Sequence, residues 1–205
     1  MTARWIGVLI GIALVVAWLL HSDTPRAARP THGTTVMAFG DSLVAGRGAS
    51  YGQDFVTVLS QRTGIRIVNA GRSGDTTGSA LARLQTDVLA NDPRIVIVLL
   101  GGNDFLRRIP VEQVFDNLGT IVERIRSLGS AVILVGVSVG VLGDPYAARY
   151  EALARRTASG LVAGILDGVI GQSSLMADPI HPNDRGYAIV ADRVEPMLRE
   201  LLDDD

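Results

Sequence analysis

From Thr34 to the carboxyl terminus two hydrophobic patterns alternate along the chain. Short apolar, β-branched runs, "TTVMAFG", "IRIVNA", "RIVIVLLGG" and "AVILVGVSVG", each lead into glycine-containing turns. Between them, "YGQDFVTVLSQRTG", "GSALARLQTDVLAND" and "VEQVFDNLGTIVERIRSLG" repeat their apolar residues every three or four positions, the spacing of one helix face. Strands that read as continuous apolar runs are buried on both faces, the condition of a parallel sheet covered by helices. A further helix is expected over "PYAARYEALARRTA", a fifth strand or its approach over "GLVAGILDGVIG", and a last helix over "DRGYAIVADRVEPMLRELL". The predicted fold is an α/β domain, residues 34–205, in three α/β/α layers around a five-stranded parallel sheet. In such sheets functional groups collect beyond the carboxyl ends of the strands, where the glycine-rich turns of this chain fall.

Residues 1–21 follow another pattern. After Arg4 the chain is unbroken apolar from Trp5 to Leu20, about 16 residues against the roughly 20 of a spanning helix. A secretory signal peptide and an uncleaved transmembrane anchor both fit. No small-x-small cleavage site directly follows Leu20, which favours the anchor, and Trp5 and Trp18 suit the two interfaces. Arg26 and Arg29 beyond the run weaken the charge argument for an outward-facing domain. The expectation is an exported domain, anchored at the periplasmic or extracytoplasmic face of the envelope, or secreted if the segment is cleaved. Residues 22–33, "SDTPRAARPTHG", read as a tether between membrane and domain.

Composition narrows the chemistry. A chain of 205 residues with 47% hydrophobic residues holds one well-buried domain. A net charge of -2 gives no basic surface for nucleic acid. All 19 basic residues are Arg, so Schiff-base and Ser-Lys mechanisms are excluded. Cys is absent as well, which removes disulfides, a thiol nucleophile and thiolate metal sites. Nothing compels an oligomer, and a monomer is expected.

His21 and His32 lie outside the folded part, leaving His181 as the one histidine available to catalysis. In "DPIHPN" Asp178 stands three residues before it, in a proline-bounded turn ahead of the last helix. A carboxylate there can hold one imidazole nitrogen and leave the other free to take a proton from a hydroxyl; the alternative is a turn-capping Asp178. Two serines bid for that hydroxyl. Ser42 ends the first strand in "FGDSLVAG", and Ser138 in "GVSVG" matches the G-x-S-x-G elbow. An elbow needs a helix directly after the serine, yet "VGVLGDP" follows Ser138 with two glycines and a proline. The turn after Ser42 leads instead to a credible helix. Oxyanion donors are available in "NAGRSGDTTG", which contains Gly74, and in "GGND", which contains Asn103. Gly74 also suits an ordinary turn, and Asn103 and Asp104 ordinary helix caps.

Taken together, "GDS", "SGDT", "GGND" and "DPIHPN" stand in the order and near the spacing of the GDSL or SGNH hydrolases, which the chain resembles from about Thr34 to its last helix. "NAGRSGDTTGSALARL", "LLGGNDFLR" and "YAARYEAL" are similar to segments of the bacterial thioesterase I, arylesterase and lysophospholipase group. The resemblance implies a flavodoxin-like fold with no metal or organic cofactor, and carboxylic ester or thioester substrates, aryl or lipid. It implies Ser42 as nucleophile, His181 as general base and acid, and Asp178 as the group that orients it. The oxyanion hole would comprise the N–H groups of Ser42 and Gly74 and the side chain of Asn103. Phe105 departs from the pattern, where a small residue is expected, and an aromatic ring there narrows an acyl groove. Two rival readings are a Ser138-dependent esterase and a silent, anchored binding module.

Overall fold

The computed structural model describes residues 25–138 and 144–203. Strands β1 (Thr35–Gly40), β2 (Ile67–Gly71), β3 (Pro93–Leu99), β4 (Ala131–Val135) and β5 (Gly160–Val162) pair in parallel in the order β2-β1-β3-β4-β5. Alternation of side chains along each strand divides the core into two layers. Val36, Ala38, Ile95, Ile97, Ile133 and Val135 face one layer, together with helices α1 (Phe55–Thr63) and α6 (Asp184–Leu202). Met37, Phe39, Val96, Val98, Val132 and Leu134 face the other, with α2 (Thr77–Asp87), α4 (Val111–Arg126) and α5 (Ala147–Thr157). This is the three-layer α/β/α arrangement that the apolar runs predict, and the strand order is the flavodoxin-like one.

The strand order reverses at β1, and the crevice at such a switch point is where ligands bind. Gly40 closes β1 at that point because the backbone there allows no side chain. A Cβ on Gly40 would stand 2.1 Å from the Leu99 carbonyl oxygen and 2.6 Å from Val44. The chain then enters turns through residues 42–48, and α1 starts only at Phe55, capped by the Asp54 carboxylate on the Thr57 N–H.

Three elements differ from the sequence expectation. The fifth strand is only Gly160–Val162; the rest of "GLVAGILDGVIG" turns away through Gly164, at φ +56°, into a run of turns beside the sheet end. A short helix α3 (Gly102–Leu106) forms inside "GGNDFL", where only a turn is expected. Residues 25–33 contain no helix or strand, yet they are tied to the domain. The Ala28 N–H donates to the Ala158 carbonyl at 2.8 Å, the Thr31 N–H to the Gly129 carbonyl at 2.8 Å, and the Leu161 N–H to the Pro25 carbonyl at 3.1 Å. Among the described residues no helix is long and apolar enough to cross a membrane; the Trp5–Leu20 segment expected to do so lies outside the described residues.

Candidate active site

Ser42, Asp178 and His181 come from opposite ends of the folded chain and meet at the carboxyl end of β1. His181 Nε2 lies 3.0 Å from Ser42 Oγ. Its Nδ1 lies 2.7 Å from Asp178 Oδ2 and 2.9 Å from Oδ1. The loop that carries the pair is closed at its base by a bridge between Met176 and Pro182, and the Ala177 N–H donates to the His181 carbonyl at 2.9 Å. Asn183 then caps α6 by accepting the N–H groups of Arg185 and Gly186. Asp178 is not a passive cap: besides the imidazole, its Oδ1 accepts the N–H groups of Ile180 (3.0 Å) and His181 (2.9 Å). These bonds, the one from Ile180 first and then the imidazole, push its carboxyl down to about 2, so the group is ionised at neutral pH. An ionised carboxylate only accepts, so Nδ1–H is the donor to Asp178, and in the neutral imidazole Nε2 is the acceptor that faces Ser42 Oγ.

The two donor turns of the sequence analysis touch each other, and one of them reaches the cleft through Asn103. Gly74 sits at φ +85° in the turn Arg72–Asp75, a left-handed conformation that a side chain would strain, and its carbonyl accepts from Arg107 Nη2 at 2.9 Å. Asn103, on α3, lines the cleft beside Ser42. Its amide nitrogen donates to the Asp75 carbonyl at 3.0 Å and faces Asp41 Oδ2 at 3.4 Å. Asp104 does not cap its own helix: it is fully buried and accepts from the Thr77 N–H at 2.9 Å and hydroxyl at 2.7 Å, serving the first N–H of α2 and joining α3 to it.

A cleft of about 430 Å³ opens over these groups. Its walls are largely apolar, with Leu43, Phe105, Leu106, Val137, Leu166 and Ile170 around Ser42 and His181. Ser138 lines the same cleft, as expected of a strand end, but His181 Nε2 is bonded to Ser42, and among the described residues the next helix after Ser138 begins at Ala147.

Two features escape the sequence reading. The Leu166–Ile170 wall lies in the stretch expected to be strand. Its sequence alternates small and apolar residues between glycines, a signature that strand and turn share. Asp41, read only as part of "GDS", is buried, and burial pushes its carboxyl up to about 7, against the Leu43 N–H bond and with the charges of Asp75 and Asp104 adding to the rise.

Fold and site together define an ester hydrolase of the SGNH type. Residues 38–189 match the GDSL-like lipase/acylhydrolase family. Esterase TesA of Pseudomonas aeruginosa is 34% identical over 179 residues, 82% of this chain and 89% of the relative. Thioesterase 1/protease 1/lysophospholipase L1 of Escherichia coli is 29% identical over 83% of this chain and 86% of its own. A crystal structure of TesA superposes with a TM-score of 0.77 at 33% identity, covering 82% of this chain and 99% of that one. The chain belongs to the GDSL-like lipase/acylhydrolase family, as its motifs suggest.

Proposed function

We propose that the chain is a serine esterase that cleaves carboxylic esters, aryl or lipid acyl esters and thioesters among them, through an acyl-enzyme on Ser42. The observation that carries this reading is the hydrogen-bonded line Ser42–His181–Asp178 at the floor of an apolar cleft. As Ser42 Oγ attacks the acyl carbon, its proton passes to His181 Nε2, and the carbonyl electron pair moves onto oxygen. The N–H groups of Ser42 and Gly74 and the amide of Asn103 receive that oxyanion, a role in which one donor is worth about 3–4 kcal/mol. The imidazolium formed faces the Asp178 carboxylate. When the intermediate collapses, the bond to the leaving oxygen or sulfur breaks, and Nε2–H protonates it. Water, deprotonated by the same nitrogen, then attacks the acyl carbon; the acyl C–Oγ bond breaks, Nε2–H returns the proton to Ser42 Oγ, and the carboxylic acid leaves. No step draws on a metal or an organic cofactor.

The family match and the TesA relatives support the reaction class, and the apolar walls support an acyl group as the part of the substrate that is bound. For location, the reading is an exported domain held at the envelope by residues 5–20, supported by that run's hydrophobicity. The test is hydrolysis of a p-nitrophenyl acyl-ester series by the full chain, beside Ser42→Ala, His181→Ala and Ser138→Ala, with circular dichroism to verify folding. Turnover lost in the first two variants and kept in the third is expected; undiminished turnover in Ser42→Ala would sink the mechanism. A folded wild type that hydrolyses nothing and fails to react with an organophosphonate is the silent binding module.

A further inference from the structure

Among the described residues hydrophobic exposure is concentrated at the cleft. Among the described residues seven large hydrophobic side chains are exposed, and four of them line this one opening: Phe105 (44%), Leu106 (57%), Ile170 (50%) and Ile180 (44%). They come from three separate segments, α3, the turns after β5 and the loop before α6. Each lies at the carboxyl end of the sheet, so the rim is a continuous feature of one face rather than scattered surface residues.

The path of the amino-terminal strap bears on what covers that rim. From Ala28 back to Pro25 its backbone partners advance from Ala158 to Leu161. The strap is therefore antiparallel to β5 in chain direction, so traced back toward the amino terminus it leaves the described fold heading for the carboxyl end of the sheet. This is the end where the cleft opens, and the Leu166–Ile170 wall follows β5 there directly. Only His21 to Thr24 stand between the apolar run, which ends at Leu20, and Pro25. Even fully extended, that stretch reaches no more than about 18 Å.

We propose that the apolar rim of the cleft is a membrane-docking face, seated on the bilayer that holds the chain's own residues 5–20. The acyl chain of a membrane-resident ester then enters the cleft without crossing water. The substrate half of this statement rests on the esterase reading; the docking half does not. Charge is not the driving force: among the described residues no Arg lines the cleft, the exposed Arg107 and Arg108 follow Leu106 in the chain, and the acidic side chains nearby are Asp167 in the lining and the half-exposed Asp178 before Ile180. The tether supplies what four exposed side chains lack alone. It makes docking intramolecular, so a contact too weak to hold a free domain on lipid is occupied at high effective concentration.

The absence of cysteine allows a direct test. Leu106→Cys, Ile170→Cys and Leu128→Cys variants of the full-length chain are each labelled with an environment-sensitive nitrobenzoxadiazole dye and reconstituted in phosphatidylcholine vesicles. Leu128 is exposed at the opposite end of the sheet, next to the Gly129–Thr31 contact. Probes at 106 and 170 are expected to lose most of their emission to a lipid carrying a nitroxide near its glycerol end and to resist aqueous iodide. The probe at 128 is expected to do the reverse. Iodide quenching at 106 and 170 as strong as at 128 overturns the proposal, as does a chain that fails to float with the vesicles. Shielding from iodide without quenching by the nitroxide lipid also overturns it, because protein then covers the rim, either residues 5–20 folded back or a second copy. Hydrolysis of p-nitrophenyl butyrate by the unlabelled chain in the same vesicles separates the two readings. An active enzyme with a wet rim overturns docking alone, whereas a lipid-quenched rim on an inactive chain overturns the esterase and leaves docking standing.

Discussion

Arg83 Nε donates to Asp75 Oδ2 at 2.6 Å, in a pair whose side chains are only 8% and 7% exposed. The same guanidinium donates from Nη2 to the Gly40 carbonyl at 3.0 Å and from Nη1 to Asp87 at 2.9 Å, and it lies 4.4 Å over the Phe39 ring. Gly40 stands two residues before Ser42, Asp75 directly follows Gly74, and the Asp75 carbonyl receives the Asn103 amide. One buried cation thus ties together the backbone segments that carry Ser42 and Gly74, and the second of these in turn holds the Asn103 amide. Arg83→Lys keeps the charge but not the planar fork that serves three acceptors at once. It is expected to lower kcat about 10–100-fold with KM little changed. Arg83→Met leaves Asp75 buried without its partner and is expected to cost about 3–5 kcal/mol of stability. Steady-state kinetics and urea denaturation measure the two, and a Lys variant with wild-type kcat would remove Arg83 from the positioning of the site.

Asp41 gives the folded protein a pH signature. Its carboxyl titrates near 7 in the folded chain, chiefly through burial, against 3.8 when unperturbed. Between those values the native state keeps a proton that the unfolded state has released, so this group's contribution to stability falls as pH rises from about 4 to 7, then levels off. Asp41→Asn cannot ionise, and its side-chain oxygen can still accept the Leu43 N–H. The variant is expected to gain on the wild type across that range, reaching on the order of 2–4 kcal/mol above pH 7. Denaturation at pH 4.5 and 8 reads the difference, and a constant gap between the proteins would contradict it. Because the new amide would face that of Asn103, kcat is expected to fall even where stability rises.

How much of this was legible in the sequence depends on the range of the forces involved. The sheet was, because strands such as Ile95–Leu99 are apolar on both faces and only a covered parallel sheet accepts that pattern. Ser42 and His181 were legible as candidates because only one histidine lies between Thr34 and the carboxyl terminus. Their distance of 3.0 Å was not, since it depends on chain closure across 139 positions. Arg83 looks in sequence like any polar residue on a helix, and nothing local says that its side chain turns inward to Gly40 and Asp75. The strap at residues 25–33 was misleading for a similar reason. Its proline and small polar residues carry no periodicity, yet its backbone N–H and C=O groups find partners at the sheet edge.

That strap is expected to contribute to stability. A chain begun at Thr31 loses the Pro25 carbonyl that receives the buried Leu161 N–H, the Ala28 bond to Ala158, and the packing of Ala27 against the core. Each backbone bond is worth about 0.5–1.5 kcal/mol, so a chain begun at Thr31 is expected to be about 1–3 kcal/mol less stable than one begun at Pro25. The urea midpoint should move down with little change in slope, and kcat should be unaffected because the strap lies outside the cleft. Equal midpoints would show the strap to be energetically idle.

Phe105 stands at the mouth of the cleft, edge-on to Tyr146 with ring centroids 6.3 Å apart and planes at 85°. Phe105→Ala removes a wall of the opening without touching Ser42 or His181. The profile of kcat/KM against acyl chain length is expected to move toward longer or bulkier chains, with acetyl and butyryl esters losing contact area and affinity. A uniform loss across the series would mean that the ring supports the fold of α3 rather than selecting the substrate.

Asp178→Asn isolates the role of the carboxylate. Asp178 Oδ1 accepts the N–H groups of Ile180 and His181, and Oδ2 faces Nδ1 of the imidazole at 2.7 Å. An asparagine in this turn keeps its oxygen on the two backbone donors, which directs its NH2 at Nδ1. Nδ1 must then accept, the ring proton moves to Nε2, and Nε2–H points at Ser42, where a base is required. The geometry survives while the tautomer is inverted, a change that in a serine protease costs about 10⁴ in kcat. A loss of about 10³–10⁴ in kcat is expected here, with circular dichroism and KM near those of the wild type. Raising the pH is not expected to restore activity at the substituted site, because the ring tautomer is set by the amide and not by titration of a carboxyl group. If Asp178→Asn retained more than about a tenth of wild-type kcat, orientation of His181 would have to come from elsewhere in the loop, and the carboxylate would return to the rank of a turn cap.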